Sequence, residues 1–265
     1  QMFNRYATYN GSSPYKTPGM MSLIQHLENH YGTYIPVGGM HEISKSLYNL
    51  AKRIGVKFNF NSEITKLKIK NKKISYLEIN KTKRIEADYI ISNVDTHHFY
   101  DKLLGKKISH SSLKAERSSS AVIFYWCMKN TNTDLDLHNI FFASDYKNEF
   151  RSIFEKKELY EDPTVYVNIT SKDVKEDAPN NSENWFVMVN APHNTNQNWD
   201  YEIKILKKAI IRKLEKILNI NIKDKLIEEK IYSPLDLDKN TNSYLGSLYG
   251  TSSNDMFSSF LRHPN

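Results

Sequence analysis

The spacing of apolar residues changes period several times along the chain, and each change marks an element. Met20, Leu23, Ile24, Leu27 and Tyr31 recur at helical intervals and predict a helix over residues 19–31. Pro36-Val37-Gly38-Gly39-Met40 breaks it. Ile43, Leu47, Leu50, Ala51 and Ile54 form one apolar stripe, predicting an amphipathic helix over 41–54 with Gly55 at the left-handed cap position. Val56, Phe58 and Phe60 alternate with polar residues, as in a half-buried strand. Ile64, Leu67 and Ile69, a polar turn at Lys70-Asn71-Lys72-Lys73, then Ile74, Leu77 and Ile79 predict a hairpin with one wet face. Residues 84–95 read as a short buried strand ending in Ser92, Asn93 and Asp95, at the carboxyl edge where α/β sheets hold ligands. Strongly apolar runs at 121–128, 164–169 and 185–190 predict three strands of one antiparallel sheet. Ile203, Leu206, Ile210, Leu214 and Ile217 predict an amphipathic helix over 200–218. The two ends, 1–18 and 244–265, are loops rich in Gly, Ser and aromatic residues. The sum is a mixed α/β chain of two interleaved subdomains.

Composition narrows this. In 265 residues, 39% hydrophobic and 12% aromatic content supports a packed core. No apolar run approaches the roughly 18 residues that span a bilayer. The opening Gln1-Met2-Phe3-Asn4-Arg5 lacks a leader pattern, so no secretory signal is expected in this stretch. A single cysteine, Cys127, excludes an internal disulfide and suits a reducing compartment. The net charge of +7 comes from lysines spread along the chain among acids, which does not make a nucleic-acid footprint but does suit an anionic membrane face. The chain has no Gly-x-Gly-x-x-Gly, no Walker-type loop and no Gly-x-Ser-x-Gly elbow. His26 and His30 stand at i, i+4 without a third ligand, so no metal is expected. His97-His98 reads as loop and Cys127 as an inert strand residue. The residues alone thus point to a ligand edge near Gly38-Gly39 and Asp95, and no further.

Five segments carry a resemblance. They are Arg5-Tyr6-Ala7-Thr8-Tyr9-Asn10-Gly11-Ser12-Ser13-Pro14; Pro36-Val37-Gly38-Gly39-Met40 with its helix and Gly55-Val56; Ala87-Asp88-Tyr89-Ile90-Ile91-Ser92-Asn93-Val94-Asp95; His138-Asn139-Ile140-Phe141-Phe142 with Asp145-Tyr146 and Asp162-Pro163-Thr164-Val165-Tyr166; and Leu248-Tyr249-Gly250-Thr251-Ser252-Ser253-Asn254 with Phe260-Leu261-Arg262-His263-Pro264-Asn265. In this order and over almost the whole chain they resemble the bacterial phytoene desaturase family of carotenoid desaturases. The family's N-terminal Gly-rich dinucleotide fingerprint and its C-terminal Gly-rich flavin segment are not among them. The chain is therefore expected to be a central portion, roughly half of such a protein.

The resemblance implies FAD as cofactor and a two-domain flavoprotein of the amine-oxidase and glutathione-reductase type, part Rossmann-type FAD domain and part antiparallel-sheet substrate domain. It divides the chain into a helical substrate-domain segment (1–35), an FAD-domain portion (36–98), a substrate domain (99–234) and a return segment (235–265). Gly38, Gly39 and Met40 would pass close to the flavin ring, since a glycine puts no Cβ in the way. Ile64 matches the strand position whose main chain pairs with adenine, and Ser92, Asn93 and Asp95 would meet ribose or phosphate. Tyr6, Tyr9, Phe124, Tyr125, Trp126, Phe141 and Phe142 would line the substrate tunnel, with Arg5 and Tyr249 making polar contacts at the flavin end. The implied reaction removes two hydrogens from adjacent carbons of a long apolar polyene, with no dedicated acid–base pair. The implied partners are that carotenoid and a membrane surface, with no nucleic acid and with room for a homo-oligomer. The implied location is cytoplasmic, peripheral on the inner face of the cell membrane. Two alternatives share these features: an oxygenase of the carotenoid terminal methyl group, and a non-catalytic lipid-binding module.

Overall fold

The structure, a computed structural model, describes residues 2–71, 73–105 and 115–255. Lys72 of the predicted turn and the quoted segment from Phe260 to Asn265 lie outside the described residues. Contacts gather the chain into two units, one of residues 20–108, the other joining residues 1–19 to 109–265.

The smaller unit carries helices α1 (Leu23–Tyr31) and α2 (His41–Arg53), then strands β1 (Ile64–Lys70), β2 (Lys73–Ile79) and β3 (Lys83–Ile85) in an antiparallel sheet of that order. The hairpin falls where the pattern put it. The 56–60 segment is not a strand: Phe58 and Phe60 cluster instead on Tyr48 of α2, with ring centroids 4.6 and 6.0 Å away. The stretch after β3 is not a strand either. Tyr89 and Ile91 are 91% and 97% exposed, and among the described residues no neighbouring strand pairs with them. A short helix, α3 (Thr96–His98), follows, its first turn capped by Asp95, which accepts from the His97 N–H at 2.8 Å. The α2 stripe forms as predicted, yet Ile43, Leu47, Leu50 and Ile54 remain exposed. Among the described residues of this unit only Leu67 and His98 are buried.

The larger unit is built on a five-stranded sheet. Its elements are β4 (Ser120–Lys129), β5 (His138–Phe141), α4 (Tyr146–Arg151), β6 (Val165–Asn168), β7 (Ser182–Ala191), α5 (Trp199–Leu218), α6 (Ile222–Lys225), β8 (Leu226–Tyr232) and α7 (Pro234–Thr241). The strand order is β5-β6-β7-β4-β8, antiparallel throughout. Period-two alternation gives the sheet one apolar face. Val122, Phe124, Trp126 and Met128 of β4 meet Val187 and Val189 of β7 there, and α5 closes over them with Leu206, Ile210 and Leu214. Burying each such side chain contributes about 1.5–3 kcal/mol. Ile211 joins this face, whereas Ile217, placed on the stripe by spacing, is 54% exposed. The three core indoles keep their N–H groups bonded, Trp126 to Glu229 at 2.8 Å, Trp185 to Glu183 at 2.9 Å and Trp199 to Asn194 at 3.0 Å. Asn198 caps α5 through the Tyr201 N–H.

Candidate functional site

Three segments far apart in sequence are clasped together beside the first residues of β4. The Ser119 N–H donates to the Gly11 carbonyl at 2.8 Å, the Ser118 N–H to Gly250, and the Ser253 N–H to the Ser12 hydroxyl at 2.8 Å. Asn254 accepts from the Ser13 N–H at 2.7 Å, and the Tyr249 N–H donates to the Ser118 hydroxyl at 3.0 Å. The serines along this seam are buried, which lets three main chains lie side by side while small hydroxyls satisfy the groups sequestered between them. At Gly11 the backbone is left-handed (φ +60°), and a Cβ there would stand 2.7 Å from the Tyr249 ring. Gly11 therefore fixes where Tyr249 stands. The clasp brings Arg5, Tyr9 and Tyr249 to the wall of one cavity of about 420 Å³. Tyr6 stacks on Tyr9 with ring centroids 5.9 Å apart.

The floor of that cavity is the second face of the sheet. Strand register puts Asn190 opposite Ala121, Met188 opposite Ile123 and Phe186 opposite Tyr125, all pointing away from α5. Across this face runs a row of rings, one from each strand. His138 stacks on Tyr166 at 6.0 Å, Tyr166 meets Phe186 at 6.3 Å, Phe186 meets Tyr125 at 5.4 Å and Tyr125 meets Tyr232 at 5.9 Å. Tyr125 stays 45% exposed, and a second cavity of about 490 Å³ adjoins it beside Phe186 and Cys127. The row is open, aromatic and as long as the sheet is wide.

Alternation sets the other predicted tunnel residues apart from this face. Phe124 and Trp126 lie on the helix-covered side, 0% and 1% exposed, and Phe141 packs against the same core. Phe142 packs on Tyr146 beside α4. Tyr166, Phe186, Met188, Asn190 and Tyr232 were not singled out from sequence. The signal for them was present: in Trp185-Phe186-Val187-Met188-Val189-Asn190 the even positions take the opposite face from the apolar odd ones.

Charge is concentrated at one end. The Arg5 guanidinium stands close enough to Tyr146, Glu149 and Tyr166 to bias their protonation. Burial pushes the Tyr146 hydroxyl up to about 12 against that pull. Glu149 is fully buried, and burial raises its carboxyl above the usual carboxylate range, against the pull of two Thr164 hydrogen bonds. Those bonds, at 2.8 and 2.6 Å, occupy both carboxyl oxygens.

The residues matched to the flavin all fall in the smaller unit. Gly38 and Gly39 both have positive φ, +86° and +89°, and a Cβ on Gly39 would meet nothing within 4 Å. Val37 and Met40 beside them are exposed, so the turn is a bare apolar ledge on which a flat ring can lie. Ile64 begins β1, an edge strand whose outer main-chain groups face away from β2. The Ser92 hydroxyl accepts from the Val94 N–H at 3.4 Å, Asn93 is exposed, and Asp95 caps α3. An open glycine turn, a free strand edge and short polar groups are features a flavin dinucleotide could use.

Comparison with known proteins agrees. Residues 1–123 match the family model described as flavin containing amine oxidoreductase. An oxidoreductase from Methanosarcina mazei superposes with a TM-score of 0.57 over 86% of this chain and 51% of its own, at 14% identity. The class is thus a FAD-dependent flavoprotein with mixed helices and antiparallel sheet. A 1-hydroxycarotenoid 3,4-desaturase of Flavobacterium sp. (strain P99-3) is 50% identical over all of this chain and 54% of its own length. A phytoene desaturase of Cercospora nicotianae is 28% identical over 95% of the chain and 47% of its own, and a 4,4'-diaponeurosporene oxygenase of Staphylococcus aureus (strain bovine RF122 / ET3-1) 28% over 94% and 51%. The chain is thus similar over nearly its whole length to phytoene-desaturase-type carotenoid desaturases, and it spans about half the length of the curated relatives it matches.

Proposed function

We propose that the chain serves in a FAD-dependent carotenoid desaturase, forming a C=C bond in a linear polyene as a step of carotenoid biosynthesis. The observation that carries this is the ring row across the open sheet face. A rod-shaped π-system can lie along it, gaining contact area and ring–ring attraction without any polar partner. FAD, when bound, would supply an acceptor for the hydride lost from one carbon, and the proton lost from its neighbour would pass to water. The chain's own part is to orient and to exclude water. Gly38, Gly39, Met40, Ile64, Ser92, Asn93 and Asp95 would hold the cofactor, and the sheet face would hold the polyene. The 50% identical relative is named for a hydroxylated carotenoid, which favours a substrate carrying oxygen at one end. The oxygenase among the relatives at 28% identity supports the second reading, oxidation of a terminal methyl group. Among the described residues no helix is long and apolar enough to cross a membrane. Supply of such a substrate calls for contact with the bilayer, and the charge of +7 favours the anionic inner leaflet. The test is to add a 1-hydroxylated linear carotenoid to the full-length FAD-loaded protein without oxygen. The visible flavin absorbance is expected to bleach with substrate; absorbance unchanged at saturating substrate would overturn the reading.

A further inference from the structure

The cavity at the clasped end of the sheet contains two unanswered hydrogen-bond donors. Asn190 is 7% exposed, and its Nδ2 is buried without a partner. Nη1 of Arg5 is likewise buried and unpartnered. Buried donors of this kind are uncommon in folded proteins, because each retains its full desolvation cost. Glu149 accepts from Thr164 on both oxygens, and Arg5 acts on it through charge without a hydrogen bond. The Tyr146 hydroxyl lies close enough to share a hydrogen bond with the Arg5 guanidinium, which leaves that side chain further donors to distribute. The rest of the wall is mostly apolar or aromatic, with Tyr9, Ile140, Met188, Leu248 and Tyr249, and Thr8 and Ser119 add two small hydroxyls. Such a cavity suits a ligand that is hydrocarbon nearly everywhere and carries one acceptor. His138 and Tyr166, the first two rings of the row, line it as well, so a polyene lying on the row enters the cavity with its end.

We infer that Arg5 and Asn190 form the specificity subsite for an oxygen at the end of the polyene, a hydroxyl or an equivalent acceptor, and so select oxygenated over hydrocarbon carotenoids. This deepens the desaturase reading and rests on it. With a hydrocarbon end the Asn190 donor stays unpaired and the Arg5 guanidinium keeps only its protein neighbours, and that penalty, more than any gain from the hydroxyl, produces the discrimination.

The test uses the full-length FAD-loaded protein with two probes, a 1-hydroxylated linear carotenoid and its hydrocarbon parent. Affinity is read by quenching of protein fluorescence, and kcat and KM by product analysis. Wild type is expected to prefer the hydroxylated probe by about 10- to 100-fold in kcat/KM and in affinity. Asn190→Leu is expected to lose most of that preference through the hydroxylated probe alone, with the hydrocarbon bound as well or better. It is also expected to keep or raise thermal stability, because an orphan donor is replaced by an apolar group of similar shape. A structural asparagine would lower it. Arg5→Met should act in the same direction, with Arg5→Lys keeping part of the preference. Equal loss on both probes, preserved preference in both variants, or loss of bound flavin in place of preference would overturn the subsite. The last of these would assign the donors to the cofactor. A wild type that desaturates neither probe would overturn the desaturase reading and the subsite with it, whereas a wild type active on both without preference overturns the subsite alone.

Discussion

Single side chains decide the local character of the larger unit. Gly11 is small because Tyr249 and Ser118 press against it, and the seam serines are small because three main chains meet there. His193 shows how burial among cations tunes this region. Burial pushes its imidazole down to about 4, with Lys157 and Arg117 adding to the effect and Glu116 opposing it. The unfolded chain binds a proton near pH 6.5 that the folded chain binds only near pH 4. Stability therefore rises with pH between those values and is lost as pH falls through them, by roughly 1–3 kcal/mol once solvent screening is allowed for. Denaturant unfolding of wild type and His193→Asn between pH 4 and 7 checks this. The wild type should weaken toward pH 4 more steeply than the variant; parallel curves would exclude His193 as the cause.

At the scale of elements, β4 gives the sharpest contrast, because adjacent residues take opposite faces. Phe124→Ala opens a cavity in the helix-covered core and should cost about 3–5 kcal/mol of stability. Tyr125→Ala removes a ring from the open row and should cost under about 1 kcal/mol while weakening polyene affinity several-fold. Melting curves and ligand titration on the two variants separate the roles; similar losses of stability in both would contradict the assignment of faces. The same contrast shows what was legible in sequence. Strong periodicity gave β4, β7, the β1–β2 hairpin and α5 nearly to their ends, because apolar spacing there matches the packing. Grouping Phe124 and Trp126 with Tyr125 as tunnel residues followed from aromatic content and ignored the alternation that separates them. β5 and β8 are short or highly charged strands whose pairing, not their pattern, makes them strands.

At the scale of the molecule, the two units differ in how far they stand on their own resources. The larger has a closed core between sheet and α5, whereas the smaller leaves the α2 stripe, Tyr89 and Ile91 exposed. The stretch over 84–95 reads as a buried strand yet lies mostly unpaired, because an apolar run does not by itself determine whether a partner strand lies beside it. Gly38, Gly39 and Asp95 were legible as a ligand edge because a glycine pair and short polar residues after an apolar run are local features, although that run forms a helix cap at Asp95 and not a strand end. The Arg5–Asn190 cavity was not, because it needs residue 5, the β7 register and residue 249 to meet. The account depends most on one claim, that a polyene held on the open sheet face loses hydrogen and gains no oxygen. Mass analysis of the product formed by the full-length FAD-loaded protein from a 1-hydroxylated linear carotenoid measures this directly. A product lighter by two hydrogens, with its absorption shifted to longer wavelength, is the predicted result; a product heavier by oxygen, or unchanged substrate, would contradict it.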